Sequence, residues 1–580
     1  MRTRNKNSVY LIFTLFLLLT LPVYFCGCKK NYAAVSQISS EETTVTKNDE
    51  NKQSVEQRKR VLTEGNVVLS KKQLTAYGQI TDCSLQSDKK NLSLTLTLPD
   101  IPKSDDSLIY LFAFEPYESY EDSDSFLRIP VASAEKSTNC VFKWAYRRNQ
   151  LFYQFVPALL LNGEYVPLSV SSYINNPEMI ADNTTPYPET KSKKGLLLDP
   201  EMLETPFLTD LNVQYAIYNI PVSLIMGEST DNNFPTIYYG FKGKTYKFNG
   251  AVINGYDYLF SYLSNSGMIT TAIVLNDWTE DYPEMIHPMS AKKKRGAYYY
   301  AFNTAEEEGC LHLEAIASFL TERYSGGNRG LVSNWIVANE INQHKVWNYM
   351  DTNDIDFYAA EFEKALRIFY NAAKSNYSEA KVYFSIDHDW NDSKSSDKFF
   401  NGKDLIEAIN LAAGQKGNYD WGLAIHPYPD PMTKVNYWTE TYDKSMDAPT
   451  LTLMNLKTVT DFLKQDEYLD RNGNVRNITV TELGFSSSSG EKLQAAAFAY
   501  CYLIIDANPY IEAFIMNRQT DALAEIEQGL AFGIYELDHT PKYILDVFKY
   551  IDTDRSDEYI DFMLKILRAD SLEEALAWAE

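Results

Sequence analysis

Val332-Ser-Asn-Trp-Ile-Val-Ala338 reads as a short buried strand, and it stops at a polar pair, Asn339-Glu340. Apolar and β-branched residues dominate it. Ahead of it, Leu311–Arg323 places Leu313, Ile316, Phe319 and Leu320 on one helical face. A strand buried on both faces and preceded by an amphipathic helix is the unit of a parallel α/β sheet. The same grammar extends both ways along the chain. Upstream, the candidate strands are Val213–Tyr218, Ile269–Leu275 and Ala297–Phe302. Downstream they are Val382–Ile386, Trp421–Ile425, Ile478–Thr481 and Ile511–Met516, with helical patterns at Asp354–Ala373 and Gln494–Ile505. Eight strands with interleaved helices over 201–553 predict an α/β fold, a (β/α)8 TIM barrel.

In such a barrel the residues just after each strand form the catalytic mouth. Those positions hold Asn219, Asn276, Asn339-Glu340, Asp387-His388-Asp389-Trp390, His426-Pro427-Tyr428, Glu482 and Asn517-Arg518. Glu340 and Glu482 supply the two carboxylates that glycoside hydrolysis needs. One must hold a proton for the leaving oxygen, and the other must be ionised to attack the anomeric carbon. Strands four and seven face one another across the barrel, so the two side chains can flank one bond. A retaining mechanism asks for a separation of about 5–5.5 Å.

The ordered set Trp335-Ile-Val-Ala-Asn339-Glu340, His426-Pro-Tyr428 and Ile478-Thr-Val-Thr-Glu482-Leu-Gly484 resembles the clan A glycoside hydrolases, the 4/7 superfamily. The chain as a whole also resembles an uncharacterised bacterial family of secreted proteins and lipoproteins that carries this barrel behind a β domain. The clan resemblance implies Glu340 as acid/base and Glu482 as nucleophile. It implies Asn339 on the sugar 2-hydroxyl, with His426 and Tyr428 orienting the nucleophile or the substrate. Asn219, Asn276, His388, Trp390, Asn517 and Arg518 are the further candidate substrate contacts. Two family features are missing where expected. The second predicted strand ends in Leu275-Asn276-Asp277-Trp278 with no Arg, and the eighth ends in Met516-Asn517-Arg518-Gln519 with no Trp. Arg518 is the candidate for the missing cation.

No cofactor is expected, and no metal. Asp387-His388-Asp389 has ligand-like residue types, but three adjacent residues in a turn rarely face one ion. Asp470-Arg-Asn-Gly-Asn474 lacks the spacing of a calcium loop and reads as a turn. Cys83, Cys140, Cys310 and Cys501 show no zinc spacing. Cys83 and Cys140 fall in one β region, where they either pair or stay free.

Before the barrel, 61–180 alternates in short runs such as Leu92–Leu98, Leu108–Phe114, Cys140–Trp144 and Leu151–Phe155, which predicts a β-sandwich. Residues 181–200 read as a linker, and 554–580 as a helical extension after the barrel. At the N-terminus, Arg2, Arg4 and Lys6 precede an apolar run from Val9 to Phe25. Together they read as a signal peptide over 1–27. Phe25-Cys26-Gly27-Cys28 resembles a bacterial lipobox, which implies lipidation of Cys28 and a protein on the extracellular face of the membrane. Residues 28–60 read as a polar, disordered tether.

The formal charge of −24, from 54 basic and 78 acidic residues, excludes a general nucleic-acid binder. The expected partners are an oligo- or polysaccharide and the membrane through the lipid, with the protein a monomer. The alternative activity is glycan capture by a degenerate barrel. A solute receptor would need two similar lobes, which eight strands in this order do not make.

Overall fold

The computed structural model describes residues 65–393 and 397–580. Residues 1–27, expected as a signal peptide, Cys28, and residues 28–60, expected as a tether, lie outside the described residues. An N-terminal unit carries β1 (Gln79–Leu85), β2 (Asn91–Thr97), β3 (Leu108–Phe114), β4 (Ala132–Glu135), β5 (Asn139–Ala145), β6 (Gln154–Leu161) and β7 (Glu164–Pro167). These make two antiparallel sheets, β1-β2-β5 and β4-β3-β6-β7. Period-two alternation on β2 turns Leu92, Leu94 and Leu96 inward. There they meet Ile109, Leu111, Phe155 and Leu159 of the other sheet.

The expected strand Leu151–Phe155 is displaced. The strand starts at Gln154, and Leu151 and Phe152 pack into the core of the barrel unit instead. Cys83 and Cys140 are free and buried. Cys83 stands opposite Leu94, and Cys140 opposite Leu96 on the far side of β2, so a whole strand separates them.

The barrel consists of β8 (Lys194–Leu197), β9 (Tyr215–Pro221), β12 (Ile269–Leu275), β13 (Val332–Val337), β14 (Lys381–Ile386), β15 (Trp421–Ile425), β16 (Ile478–Leu483) and β17 (Ile511–Met516). All neighbours are parallel, and β17 pairs with β8 to close the circle. A hairpin, β10 (Ile237–Phe241) and β11 (Lys244–Phe248), is inserted after β9. It reaches the N-terminal unit, where Lys242 pairs with Glu115 at 2.5 Å, and the same ammonium pairs with Glu314 of the barrel helix Glu307–Arg323 at 2.6 Å.

Two of the expected strands change. The 181–200 stretch contains β8, the first barrel strand. Its polar composition misleads because Lys194 is fully buried and paired with Asp552 at 2.6 Å. Gly195 suits the close packing there, since a Cβ would lie 2.9 Å from Tyr215 Cβ and 3.0 Å from the Phe514 carbonyl oxygen. Ala297–Phe302 is not a barrel strand. It lies in the long connection between β12 and β13, where Tyr299 bridges to Asp277, and Tyr300 bridges to Tyr349 in the loop after β13. One strand gained and one lost leave the count at eight, and Val332–Val337 keeps its place as the fourth.

Tyr215, Ile217, Ile269, Ile273, Ile336, Tyr383 and Ile515 fill the barrel interior. Helices pack outside it. Gly250–Asn265 is capped by Asn249, whose side chain accepts from the Ala251 and Val252 N–H groups, and Ile355–Asn376 is capped by Asp354. Glu307–Arg323 buries the predicted face of Leu313, Ile316, Phe319 and Leu320. The last two helices, Ser556–Leu567 and Leu572–Ala577, follow the barrel, and Tyr500 of the helix Glu491–Ala507 donates to the Ala575 carbonyl. Among the described residues no helix is long and apolar enough to cross a membrane.

Candidate active site

Glu340 lies just beyond β13 in a backbone conformation that side chains seldom adopt. Its φ is +38°, and that of Ala338 is +63°. Neighbouring strands hold this turn in place. The Glu340 N–H donates to Ser385 Oγ at 2.8 Å, and the Ala338 N–H donates to the Val274 carbonyl at 2.9 Å. Strain that the surroundings hold in this way clusters at functional sites. Its effect here is to point the Glu340 carboxyl at His426, whose Nδ1 lies 2.8 Å from Glu340 Oε1.

His426 is fully buried at the end of β15, and its Nε2 meets Thr481 Oγ1 at 3.1 Å. Burial pushes the Glu340 carboxyl up from its ordinary range, and the hydrogen bond to His426 offsets this only in part. Burial pulls the imidazole down, but its bond to Glu340 and the Glu482 charge outweigh that, and the net shift is upward. The 2.8 Å contact therefore joins two groups that each hold a proton more readily than they would in water.

Glu482 reaches the same imidazole from β16, with Oε2 3.9 Å from His426 Nδ1. The distances of 2.8 and 3.9 Å together cap the separation of the two carboxylate oxygens at about 6.7 Å. Thr481 and Glu482 both face inward, although strict alternation would send one outward. The register between β16 and β17 slips between Val480 and Leu483, which is where the alternation breaks. Tyr428 donates to Glu482 Oε1 at 3.1 Å, and Asn517 Nδ2 donates to the Tyr428 oxygen at 3.1 Å. The amide thus aims the phenol proton at the carboxylate. Tyr428 also stacks on Phe532, with centroids 5.9 Å apart. The Glu482 side chain is 36% exposed, against 12% for Glu340. One carboxyl is open to an incoming molecule and the other is buried and proton-retaining, the asymmetry that acid/base and nucleophile roles require.

The model of a family of unknown function, DUF5722, matches residues 186–575. The chain belongs to this family. Its matched region begins just before β8 and takes in every strand of the barrel. No curated protein matches the chain. Similar solved structures include a family 39 glycoside hydrolase from the gut symbiont Bacteroides cellulosilyticus WH2. It is 13% identical with a TM-score of 0.39, covering 83% of this chain and 80% of that one. A glucosidase from Croceicoccus marinus is 14% identical with a TM-score of 0.38, covering 64% of this chain and 67% of that one. The GH53 catalytic domain of Ignisphaera aggregans is 12% identical with a TM-score of 0.39, covering 64% of this chain and 99% of that one. Likeness at these values concerns the path of the chain and leaves the chemistry to the side chains.

The other expected contacts divide. Asn339 is buried beside Glu340. Asn219 is half-buried and shares the inward face of β9 with Tyr215 and Ile217. Asn517 acts on Tyr428, as above. Asn276, by contrast, is buried, and its Nδ2 ties the Met285 and Ala301 carbonyls at 3.0 and 3.1 Å, so it pins the loop after β12. Trp390 is fully buried against Phe462 and donates to the Met446 carbonyl, so it is core and not a sugar platform. Arg518 pairs with Glu525 at 3.1 Å, which commits its charge locally.

His388 is half-buried between Asp387 and Asp389, and ligand atoms of the three lie within 4.8 Å of one another. The Asp387 oxygens already accept from Asn342 Nδ2 at 2.5 Å and Gln343 Nε2 at 2.6 Å. Gln343 also donates to Asp389, whose carboxyl is pushed up to about 6 by burial and by the Asp387 charge. Asn342 and Gln343 follow Glu340 closely in sequence, so this network braces the turn that carries it. Sequence reading missed them, together with Ser385. The adjacency of Asn342 and Gln343 to Asn339-Glu340 was the available signal, and for Ser385 there was none.

Proposed function

We propose that this protein is a retaining O-glycoside hydrolase acting on an oligo- or polysaccharide, with Glu340 as acid/base and Glu482 as nucleophile. The observation that carries this reading is the approach of both carboxylates to one buried imidazole, at 2.8 and 3.9 Å. The cap on their separation accommodates the ~5–5.5 Å of a retaining pair and reaches only the lower edge of the ~6.5–9.5 Å of an inverting one. In the first step the Glu340 proton passes to the glycosidic oxygen while Glu482 attacks the anomeric carbon and the bond to the leaving sugar breaks. Tyr428 occupies Oε1, which leaves Oε2 for the attack. In the second step the Glu340 carboxylate takes a proton from water, the water oxygen displaces Glu482, and both groups return to their starting states. Lipidation at Cys28 would place this activity on the outer face of the membrane.

A mechanism-based cyclitol epoxide or aziridine tests the assignment. The parent protein should be labelled covalently, with the adduct mapped to Glu482 by peptide mass analysis, and Glu482→Gln should not label. Labelling at another residue, or turnover of a substrate at full rate by Glu482→Gln, would sink it. A protein that binds glycans yet neither labels nor turns them over would be the capture protein instead.

A further inference from the structure

The connection between β12 and β13 holds the longest unbroken run of basic residues in the chain, Lys292-Lys293-Lys294-Arg295. All four are exposed, and no ion pair to any of them is found among the described residues. In a chain of net charge −24 such a run is a local reversal of field. It is also anchored. The Lys294 backbone N–H donates to the Tyr300 hydroxyl at 2.9 Å, and Lys294 Nζ lies 5.8 Å from the centre of the Tyr349 ring.

The run leads directly into an array of aromatic rings. Tyr298, 55% exposed, stacks on Trp347 with centroids 4.7 Å apart and planes at 20°. Tyr299 lies 6.0 Å from the same indole at 28°. The array is continuous with the candidate active site at both ends of its framework. Trp347 is joined to Glu340 by two successive backbone bonds, Trp347 N–H to the Gln343 carbonyl and Gln343 N–H to the Glu340 carbonyl. Tyr299 packs on the barrel-interior cluster. Burial first, and then the charges of Asp277 and Glu482, push its phenol up. The rings therefore run from the mouth outward to an exposed tyrosine beside four exposed cations.

Resting on the glycosidase reading above, we infer that this connection is an outer subsite for an anionic sugar unit, one bearing a carboxylate or a sulfate ester. A sugar ring stacks on the Tyr298–Trp347 surface and its anionic group meets Lys292–Arg295. Aromatic faces suit the apolar face of a pyranose, and four adjacent cations with no carboxylate partner among the described residues suit an anion. The deep mouth, lined by Glu340, Glu482 and Asp387, repels an anion. The charged unit is thus held at the rim, away from the bond being cleaved.

The test uses the full chain carrying Glu482→Gln, which binds without turnover, and three probes: oligogalacturonides, sulfated galactan oligosaccharides, and neutral β-gluco- and β-manno-oligosaccharides. One anionic series should bind, more weakly as sodium chloride is added. Its affinity should fall about tenfold or more when Lys292, Lys293, Lys294 and Arg295 are all replaced by Ala, and again with Trp347→Ala. An unchanged melting temperature shows that the fourfold variant is folded. The two anionic arms separate carboxylate from sulfate recognition. Binding of the neutral series alone, or anionic binding indifferent to these replacements, overturns the subsite. In either case labelling of Glu482 in the parent protein still stands or falls by itself. Failure of every series to bind also overturns it, and failure of the label as well overturns the glycosidase reading with it.

Discussion

His426 Nδ1 lies 2.8 Å from Glu340 Oε1, and the imidazole is fully buried. A carboxyl in that setting is poised between two effects. Burial raises its affinity for a proton, and the imidazole bond lowers it. Replacing His426 by Ala removes only the second effect. The Glu340 carboxyl should then hold its proton to higher pH, and the basic limb of the kcat/KM profile should move up. The rate itself should fall about a hundredfold, since an unsteadied general acid loses its aim. A pH–rate profile with an unmoved basic limb would show that His426 does not act through Glu340.

Tyr428→Phe isolates one hydroxyl. The ring keeps its stacking on Phe532, and Glu482 loses the donor at 3.1 Å. A hydrogen bond to a charged group is worth ~1.5–3 kcal/mol, so kcat/KM should drop roughly tenfold to a hundredfold. The melting temperature should fall modestly, because the buried Asn517 Nδ2 loses the phenol oxygen that accepts from it. Equal losses in stability and rate would make Tyr428 a packing residue.

Asp552→Ala should be strongly destabilising. Asp552 is the partner of Lys194, and the two side chains are 1% and 0% exposed. Burial pulls the Lys194 ammonium down, and the Asp552 charge and hydrogen bond offset this only in part. An orphaned buried charge costs ~3–5 kcal/mol, and here it would sit in the strand that closes the barrel. Replacing the pair together, Lys194→Met with Asp552→Leu, should recover much of that loss in denaturant unfolding.

Glu361 contributes to acid stability. Burial pushes its carboxyl up, but His287, Lys364 and Thr304 outweigh that and bring it down to about 2 from 4.5. A lowered carboxyl stabilises the fold fully above the unfolded value. Its contribution of about 3 kcal/mol should decline as pH falls from 4.5 toward 2. Glu361→Gln should be less stable than the parent at neutral pH, and the two should converge as the pH nears 2. Parallel stability curves across that window would contradict the assignment.

Much of the site was legible because its chemistry sits at strand ends, where an apolar run stops at a polar residue. Asn339-Glu340, His426 with Tyr428, and Thr481-Glu482 are each read that way, and the structure brings Glu340, His426, Tyr428 and Glu482 together. Asn276 and Trp390 satisfied the same rule and do something else. A strand-end amide can bond to the backbone of its own loop, and a tryptophan after a strand can turn into the core. Position along a strand carries no information on that choice.

The sequence by itself determined the architecture, because alternating buried strands and one-faced helices have few ways to cover their apolar surfaces other than a barrel. Only the tertiary structure decided which segments close it. Lys194 reads as linker until Asp552, 358 residues away, neutralises it in the core, and Ala297–Phe302 reads as strand until its tyrosines find Asp277 and Tyr349 over the mouth. Local pattern reports how a segment is buried. The partner that makes a charge burial tolerable, or that gives two carboxylates one imidazole, exists only after the chain has folded.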